Sequence, residues 1–231
     1  MKKSLILLLL LLLPGLSLRA LDEAQQAKIV DQLNKDKTLV GQQIETYEKT
    51  PGRVPDAELW PVAVAYAMSG RLEESERLFQ KYLAVKPDNA RAMRGYGAVQ
   101  MSLGKVEGAV QAYTLGWKLG DLDSLKMKGV VLFSTGDKAG FRKLMPELLA
   151  HKDRDIDIAN SLMAYALDHP KDAESATVFA AVLKDLKDEQ VLARRDTTLL
   201  VIDGLILFSK DTARVADLKR KAVEKGVDLK K

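Results

Sequence analysis

The chain of 231 residues contains no cysteine at all. That absence excludes disulfides, thiolate metal ligands, a cysteine nucleophile and a lipid-modified cysteine behind a leader. Histidine is almost as scarce, with only His151 and His169. Each follows a helical run and precedes a lysine-containing turn, the place where an imidazole meets free helix carbonyls rather than a metal or a substrate. There is no HExxH, no GxSxG and no GxxxxGK[ST], so zinc-protease, serine-hydrolase and phosphate-loop chemistry lack their residues. Gly95-Tyr96-Gly97 lacks the third glycine of a dinucleotide loop and follows no strand pattern. The carboxylate pairs Glu73-Glu74 and Asp185 with Asp188-Glu189 suit helix surfaces and first turns better than acid-base catalysis. No enzyme activity, cofactor or metal is expected.

A long apolar run occurs once, at the start. Met1-Lys2-Lys3-Ser4 is positive, Leu5 to Leu13 is unbroken, and Pro14-Gly15 leads to small residues at Ser17 and Ala20. The pattern is that of a signal peptide over residues 1–20, and the run is short of the roughly 20 residues a membrane span needs. Leu199 to Phe208, interrupted by Asp203, has the length of a core helix. An exported, periplasmic or secreted protein of a bacterial envelope is expected, with no stable membrane span after cleavage. Lys2, Lys3 and Arg19 leave with the leader, so the formal charge falls by three from +4 to +1. A nearly neutral chain with interspersed signs carries no footprint for nucleic acid. Roughly 210 residues remain, enough to bury a core without cross-links.

What the chain has in abundance is helix former broken at regular intervals. Gly104 follows Gly70 by 34 residues, and the same spacing pairs Val62 with Tyr96, Ala63 with Gly97, Ser75 with Ala109 and Phe79 with Tyr113. Glycine closes a tight helix-helix turn in the left-handed conformation. Pro87 stops a helix near Val85, and Asp88 or Asn89 offers a side-chain oxygen to cap the next one. Gly97 falls inside a helix, where it costs about 1 kcal/mol relative to alanine; close approach of the partner helix is the expected offset. The phrase GAVQMS at Gly97 returns as GVVLFS at Gly129 and GLILFS at Gly204, marking further hairpins.

A 34-residue helix-turn-helix period is the tetratricopeptide signature. The chain resembles that family at Tyr66, Gly70, Leu72-Glu73-Glu74-Ser75, Phe79 and Pro87-Asp88-Asn89, and again at Gly97, Gly104, Ala109 and Tyr113. It departs from the family pattern at Asp121, where proline is expected, and at Tyr82, where alanine is usual. The resemblance is clear over Asp56 to Asp123 and weak beyond. It implies an all-α, superhelical array of helix-turn-helix hairpins, an α-solenoid preceded by an N-terminal helix.

The resulting map has a leader over 1–20 and a helical segment Leu21 to Lys49, with one uninterrupted helix as an option. A break at Thr50 to Pro55 precedes two repeats over 56–123, and degenerate hairpins fill 124–231. The latter are Leu125 to Ala150, Ile156 to Lys187 with a turn at His169 to Asp172, and Val191 to Phe208 with Asp211 to Lys225. Pro61 either lies in the first turn of a helix beginning near Trp60 or kinks that helix. No sustained period-two alternation marks a strand.

If the resemblance holds, the family's groove positions fall on Trp60, Val64 and Met68, on Arg91, Arg94, Met101 and Ser102, and more loosely on Lys126, Val130 and Phe133. That surface implies a protein or peptide partner offering apolar anchors and acidic groups. Val64 and Ala98 stand where a carboxylate clamp would carry asparagines, which argues against recognition of a chaperone tail. The competing reading of Trp60, Met101 and Phe133 is core. Val30, Leu33, Val40, Ile44 and Tyr47 keep a rough heptad spacing broken by Lys37. This segment would cap the first repeat, fill the groove or pair with a second copy. The function expected is a non-catalytic adaptor of the cell envelope; the alternative is an oligomerising spacer built on the N-terminal helix.

Overall fold

The computed structural model describes residues 21–151 and 156–229; the expected leader lies outside the described residues. Every regular element among them is helical. The chain divides between Leu115 and Gly116 into two compact units.

The first unit opens with α1 (Glu23–Lys35) and α2 (Thr38–Lys49), then two short 3-10 turns, and continues with α3 (Trp60–Met68), α4 (Leu72–Val85), α5 (Ala90–Ser102) and α6 (Val106–Lys118), the last running across the division. A single helix over Leu21 to Lys49 is therefore not formed. Asp36 takes an extended conformation at φ −133°, and its carboxylate accepts from the Thr38 amide at 3.0 Å and the Thr38 hydroxyl at 2.6 Å. One residue thus closes α1, through its amide to the Gln32 carbonyl, and ties the first residue of α2 through its side chain. Asp36 lies 34 residues before Gly70 and Gly41 lies 34 before Ser75, so the N-terminal segment keeps the beat of the repeats and folds as a hairpin of its own.

The two repeats follow the expected turn chemistry. Gly70 has φ +82° and Gly104 φ +73°. In the first turn the Arg71 amide reaches the Tyr66 carbonyl at 3.0 Å, and in the second the Lys105 amide reaches Gln100 at 2.9 Å, the wide bonds that satisfy helix-end carbonyls. α3 starts at Trp60 with Pro61 in its first turn, so the proline costs no internal hydrogen bond. Asn89 caps α5 by accepting from the Ala92 amide at 2.9 Å while donating to the Tyr82 hydroxyl at 2.8 Å. Tyr82, the departure from the family's alanine, is wholly buried, and its hydroxyl finds its partner in the residue that caps the next helix.

The second unit holds α7 (Leu122–Ser134), α8 (Lys138–Ala150), α9 (Ile156–Asp168), α10 (Ser175–Asp185), α11 (Asp188–Leu192), α12 (Arg195–Gly204), one wider turn Leu205–Ser209, and α13 (Thr212–Glu224). Asp121, standing where proline was expected, caps α7 through the Ser124 amide at 2.8 Å, so one capping residue replaces another device for starting a helix. Gly136, at φ +76°, turns α7 into α8. α9 is central, packing against α7, α10 and α12, and Leu125, Phe141, Leu148, Ile158, Leu162 and Phe179 are fully enclosed. A continuous helix over Val191 to Phe208 is not formed: Arg194 is extended, and the Thr198 hydroxyl ties across the break to the Val191 carbonyl at 2.8 Å.

Candidate binding surface

In the first unit the expected groove residues separate into two groups. Trp60 is 2% exposed and shares one buried cluster with Val30, Leu33, Tyr66 and Tyr82. Its ring centroid lies 6.3 Å from that of Tyr82. Trp60 is core, and its expected role as an open groove anchor is withdrawn for that reason. Arg91 packs over it while keeping 39% of its side chain exposed. Its guanidinium stands 5.5 Å from the Trp60 ring centroid and is ion-paired at 2.6 Å with Asp31 of α1. The second group keeps contact with solvent. Val64 is half-buried against the core cluster, and Met68 is exposed one turn on. On α5, Arg94 and Met101 are partly exposed and Ser102 is exposed, the Ser102 hydroxyl donating to the Ala98 carbonyl at 2.9 Å.

The helix that covers Trp60 reaches its place through residues the sequence pattern did not single out. α1 packs against α3. Its buried stripe is Gln26, Val30 and Leu33, spaced i, i+4 and i+7 on one helix face. The Gln26 side-chain amide donates to the Ala57 carbonyl at 2.8 Å and to the Leu21 carbonyl at 3.1 Å, while its oxygen is buried without a partner. Glu58 is buried beside the same junction; burial raises its pKa, and a hydrogen bond with the Leu21 amide opposes that shift. The signal for Gln26 and Asp31 was available only in the 34-residue offset of Asp36 from Gly70, which places α1 as the first helix of a hairpin.

α2 also has polar anchors of its own. Its Glu48 accepts from Arg71 at 2.5 Å and from the Tyr66 hydroxyl at 3.1 Å, and those bonds lower the Glu48 pKa, Arg71 contributing most. Arg71 also lies 4.4 Å from the Tyr66 ring centroid, and the Tyr47 and Tyr66 rings meet edge-on at 6.1 Å.

In the second unit Lys126 has 20% of its side chain exposed and approaches Asp123 at 3.5 Å. It lines a small pocket with Leu122, Leu125, Leu148, His151 and Ile158. Phe133 is partly buried, with its ring 5.4 Å from Phe141, and Val130 is partly buried as well. The structure brings Trp60 and Arg91 together and leaves Val64, Met68, Arg94 and Met101 on partly open faces of α3 and α5.

Both histidines stand at helix ends. His151 follows α8, its ring 5.1 Å from that of Trp117. The His169 ring nitrogen lies 2.9 Å from the Tyr165 carbonyl, in the last turn of α9. Among the described residues no group of three or more histidines or carboxylates could hold a metal ion, and no helix is long and apolar enough to cross a membrane.

No protein-family model matches the chain, and no curated protein matches it. Among solved structures it is similar to a chain of the crystal structure of the APC/C hetero-tetramer Cut9-Hcn1, at a TM-score of 0.56 and 16% identity. The match covers 87% of this chain and 38% of that one. Identity at this level shows the fold: an all-α array of tetratricopeptide-like helical hairpins.

Proposed function

We propose that this protein is a non-catalytic adaptor that binds an extended or helical peptide segment of a protein partner, and that it works outside the cytoplasm in the cell envelope. The observation that carries this reading is the open strip on the first helices of the two repeats. Val64 and Met68 on α3 and Arg94, Met101 and Ser102 on α5 keep partial or full exposure, whereas residues facing the second helices, such as Val62, Ala63 and Val99, are closed off. Apolar side chains give buried area and an arginine gives an acidic group a defined orientation.

The spacer reading requires the N-terminal segment to be available to another copy. Its apolar residues Val30, Leu33, Val40 and Ile44 are buried in the chain's own core instead, which favours the adaptor. A monomer in a mass measurement agrees with this; a stable dimer lost on removal of residues 21–49 restores the spacer.

The direct test selects binders from a displayed random-peptide library and measures them by fluorescence anisotropy. Selected peptides should carry one or more acidic residues among apolar ones, and Arg94→Glu should weaken them at least tenfold with helicity unchanged. Equal binding by the Arg94→Glu variant and the parent would overturn the assignment of this surface. For export, the mature chain recovered from an envelope fraction should begin at Leu21 by mass spectrometry; a retained Met1 contradicts it.

A further inference from the structure

We propose that the face of α3 and α5 beneath α1 is itself a docking site for an amphipathic helix, and that α1 is a resident, displaceable occupant whose chemistry describes the partner. This rests on the binding reading above, and it concerns the Trp60–Arg91 face rather than the open strip.

Three observations carry it. First, α1 meets the molecule as a ligand helix would. It presents the stripe Gln26, Val30 and Leu33 to the shared core, and between its two aliphatic residues Asp31 engages Arg91 at 2.6 Å. Anchors at helical spacing with one acid beside them are how a helix is read in a groove.

Second, the polar anchors of the neighbouring helix α2 do not run through α1. Its N-terminus is closed by its own capping box, with the Gln25 amide donating to Asp22 at 2.8 Å and the Asp22 amide to the Gln25 side chain at 2.9 Å. The first residue of α2 is bonded by the Asp36 carboxylate, and α2 is held by Tyr47 to Tyr66 of α3 and by Glu48 to Arg71 just before α4. Between the two helices lies the extended Asp36.

Third, the docking of α1 is imperfect in a way a partner can improve. The Gln26 oxygen is buried without a partner, and Glu58 is buried beside the first residue of the segment. An unsatisfied buried acceptor is a loss that an aliphatic side chain in the same place avoids. The favoured partner is therefore a helix with aliphatic residues at the places of Gln26, Val30 and Leu33 and a carboxylate at the place of Asp31.

The probe is a labelled synthetic peptide of residues 22–35 carrying Gln26→Leu, titrated into the full chain by anisotropy. A site occupied in cis lowers apparent affinity by the fraction of open chains, so loosening the resident helix should strengthen binding. Asp31→Asn in the chain removes only an exposed pair and should strengthen it by about threefold. Leu33→Ala removes a buried anchor and should strengthen it at least tenfold, while the same change in the peptide should weaken it at least tenfold. Hydrogen exchange on the unaltered chain gives a measurement independent of any variant: α1 amides should exchange at least tenfold faster than those at the centre of α3. The inference is overturned if the peptide binds none of the three chains, or if α1 amides exchange only as slowly as those of α3. Continued loss of selected peptides in Arg94→Glu would then leave the adaptor reading standing alone.

Discussion

A β-carbon placed on Gly97 would lie 2.7 Å from a ring carbon of Tyr113, so the glycine in the middle of α5 exists to let the α6 tyrosine lie against its backbone. The same relationship recurs wherever the glycine-led phrase does. Gly129 is opposed by Leu148 at 3.1 Å and Gly204 by the ring of Phe179. Gly95 meets Phe79 at 2.8 Å, so both glycines of Gly95-Tyr96-Gly97 serve helix packing. The repeated phrase is a rule about close approach, with the large residue supplied by a neighbouring helix.

Replacing Gly97 should therefore run against helix propensity. Alanine gains about 1 kcal/mol in an ordinary helix interior, but here it must displace the wholly buried Tyr113, an overpacking cost of about 1–3 kcal/mol. Gly97→Ala should leave the protein less stable by about 1 kcal/mol. Gly41, inside α2 with nothing within 4 Å of its would-be β-carbon, is the control: Gly41→Ala should stabilise by about 0.5–1 kcal/mol. Urea midpoints of the two variants should move in opposite directions.

Tyr113 makes a second prediction through its hydroxyl, which is buried without a partner. Burial pushes its pKa up to about 12, with Arg94 opposing the shift. The ordinary phenol value is about 10, so the neutral form is favoured by folding. Stability contributed by that neutral form is complete below about pH 10 and is lost as pH rises toward 12. Tyr113→Phe keeps the ring and removes the orphan hydroxyl. It should stabilise by about 1 kcal/mol at pH 7, and its advantage over the parent should widen between pH 10 and 12. Urea melts at pH 7 and pH 11 decide this; a less stable phenylalanine variant at pH 7 would mean that the hydroxyl is satisfied.

These residues also show why some of the molecule was readable in advance and some was not. The turns at Gly70 and Gly104 are local, since each depends on one left-handed residue and its immediate neighbours. The turn at Asp36 keeps the same 34-residue beat but is made by a carboxylate capping Thr38, so a search for glycine passes over it. The surface was harder. Arg91 was recognisable as a first-helix cation, but the acid that holds it is Asp31, 60 residues earlier, and no local pattern couples them. Trp60 falls on a groove position by register, and its burial depends on where α1 comes to rest.

The turn into α13 carries a conformational cost that a single change should relieve. Lys210 has φ +55° and is the one non-glycine residue with positive φ among the described residues, standing where the earlier hairpins place Gly70, Gly104 and Gly136. A β-carbon in that conformation costs roughly 1–2 kcal/mol, part of which glycine returns through its freer unfolded chain. Lys210 is exposed, so its side chain supplies no packing to offset the cost. Lys210→Gly should raise stability by about 0.5–1 kcal/mol, measured as a higher urea midpoint with an unchanged slope.

Pro146 sits inside α8, a position the hairpin reading of Leu125 to Ala150 did not distinguish. A proline there cannot donate to the Arg142 carbonyl and presses its ring against it. The helix tolerates this because Pro146 is on the exposed side, while Leu144, Met145 and Leu148 face the core. The last two of these flank the proline and fix α8 through burial. The Arg142 side chain is also held from outside the helix, paired with Glu174 at 2.6 Å. Packing thus overrides a local preference of about 3 kcal/mol against proline. Pro146→Ala restores the donor without touching the buried face, so it should stabilise by about 1–3 kcal/mol. Thermal unfolding followed by circular dichroism should show a higher midpoint and no loss of helical signal. A lower midpoint would mean that the proline is required to seat Leu148 against Gly129, placing it among the residues that set the packing of the second unit.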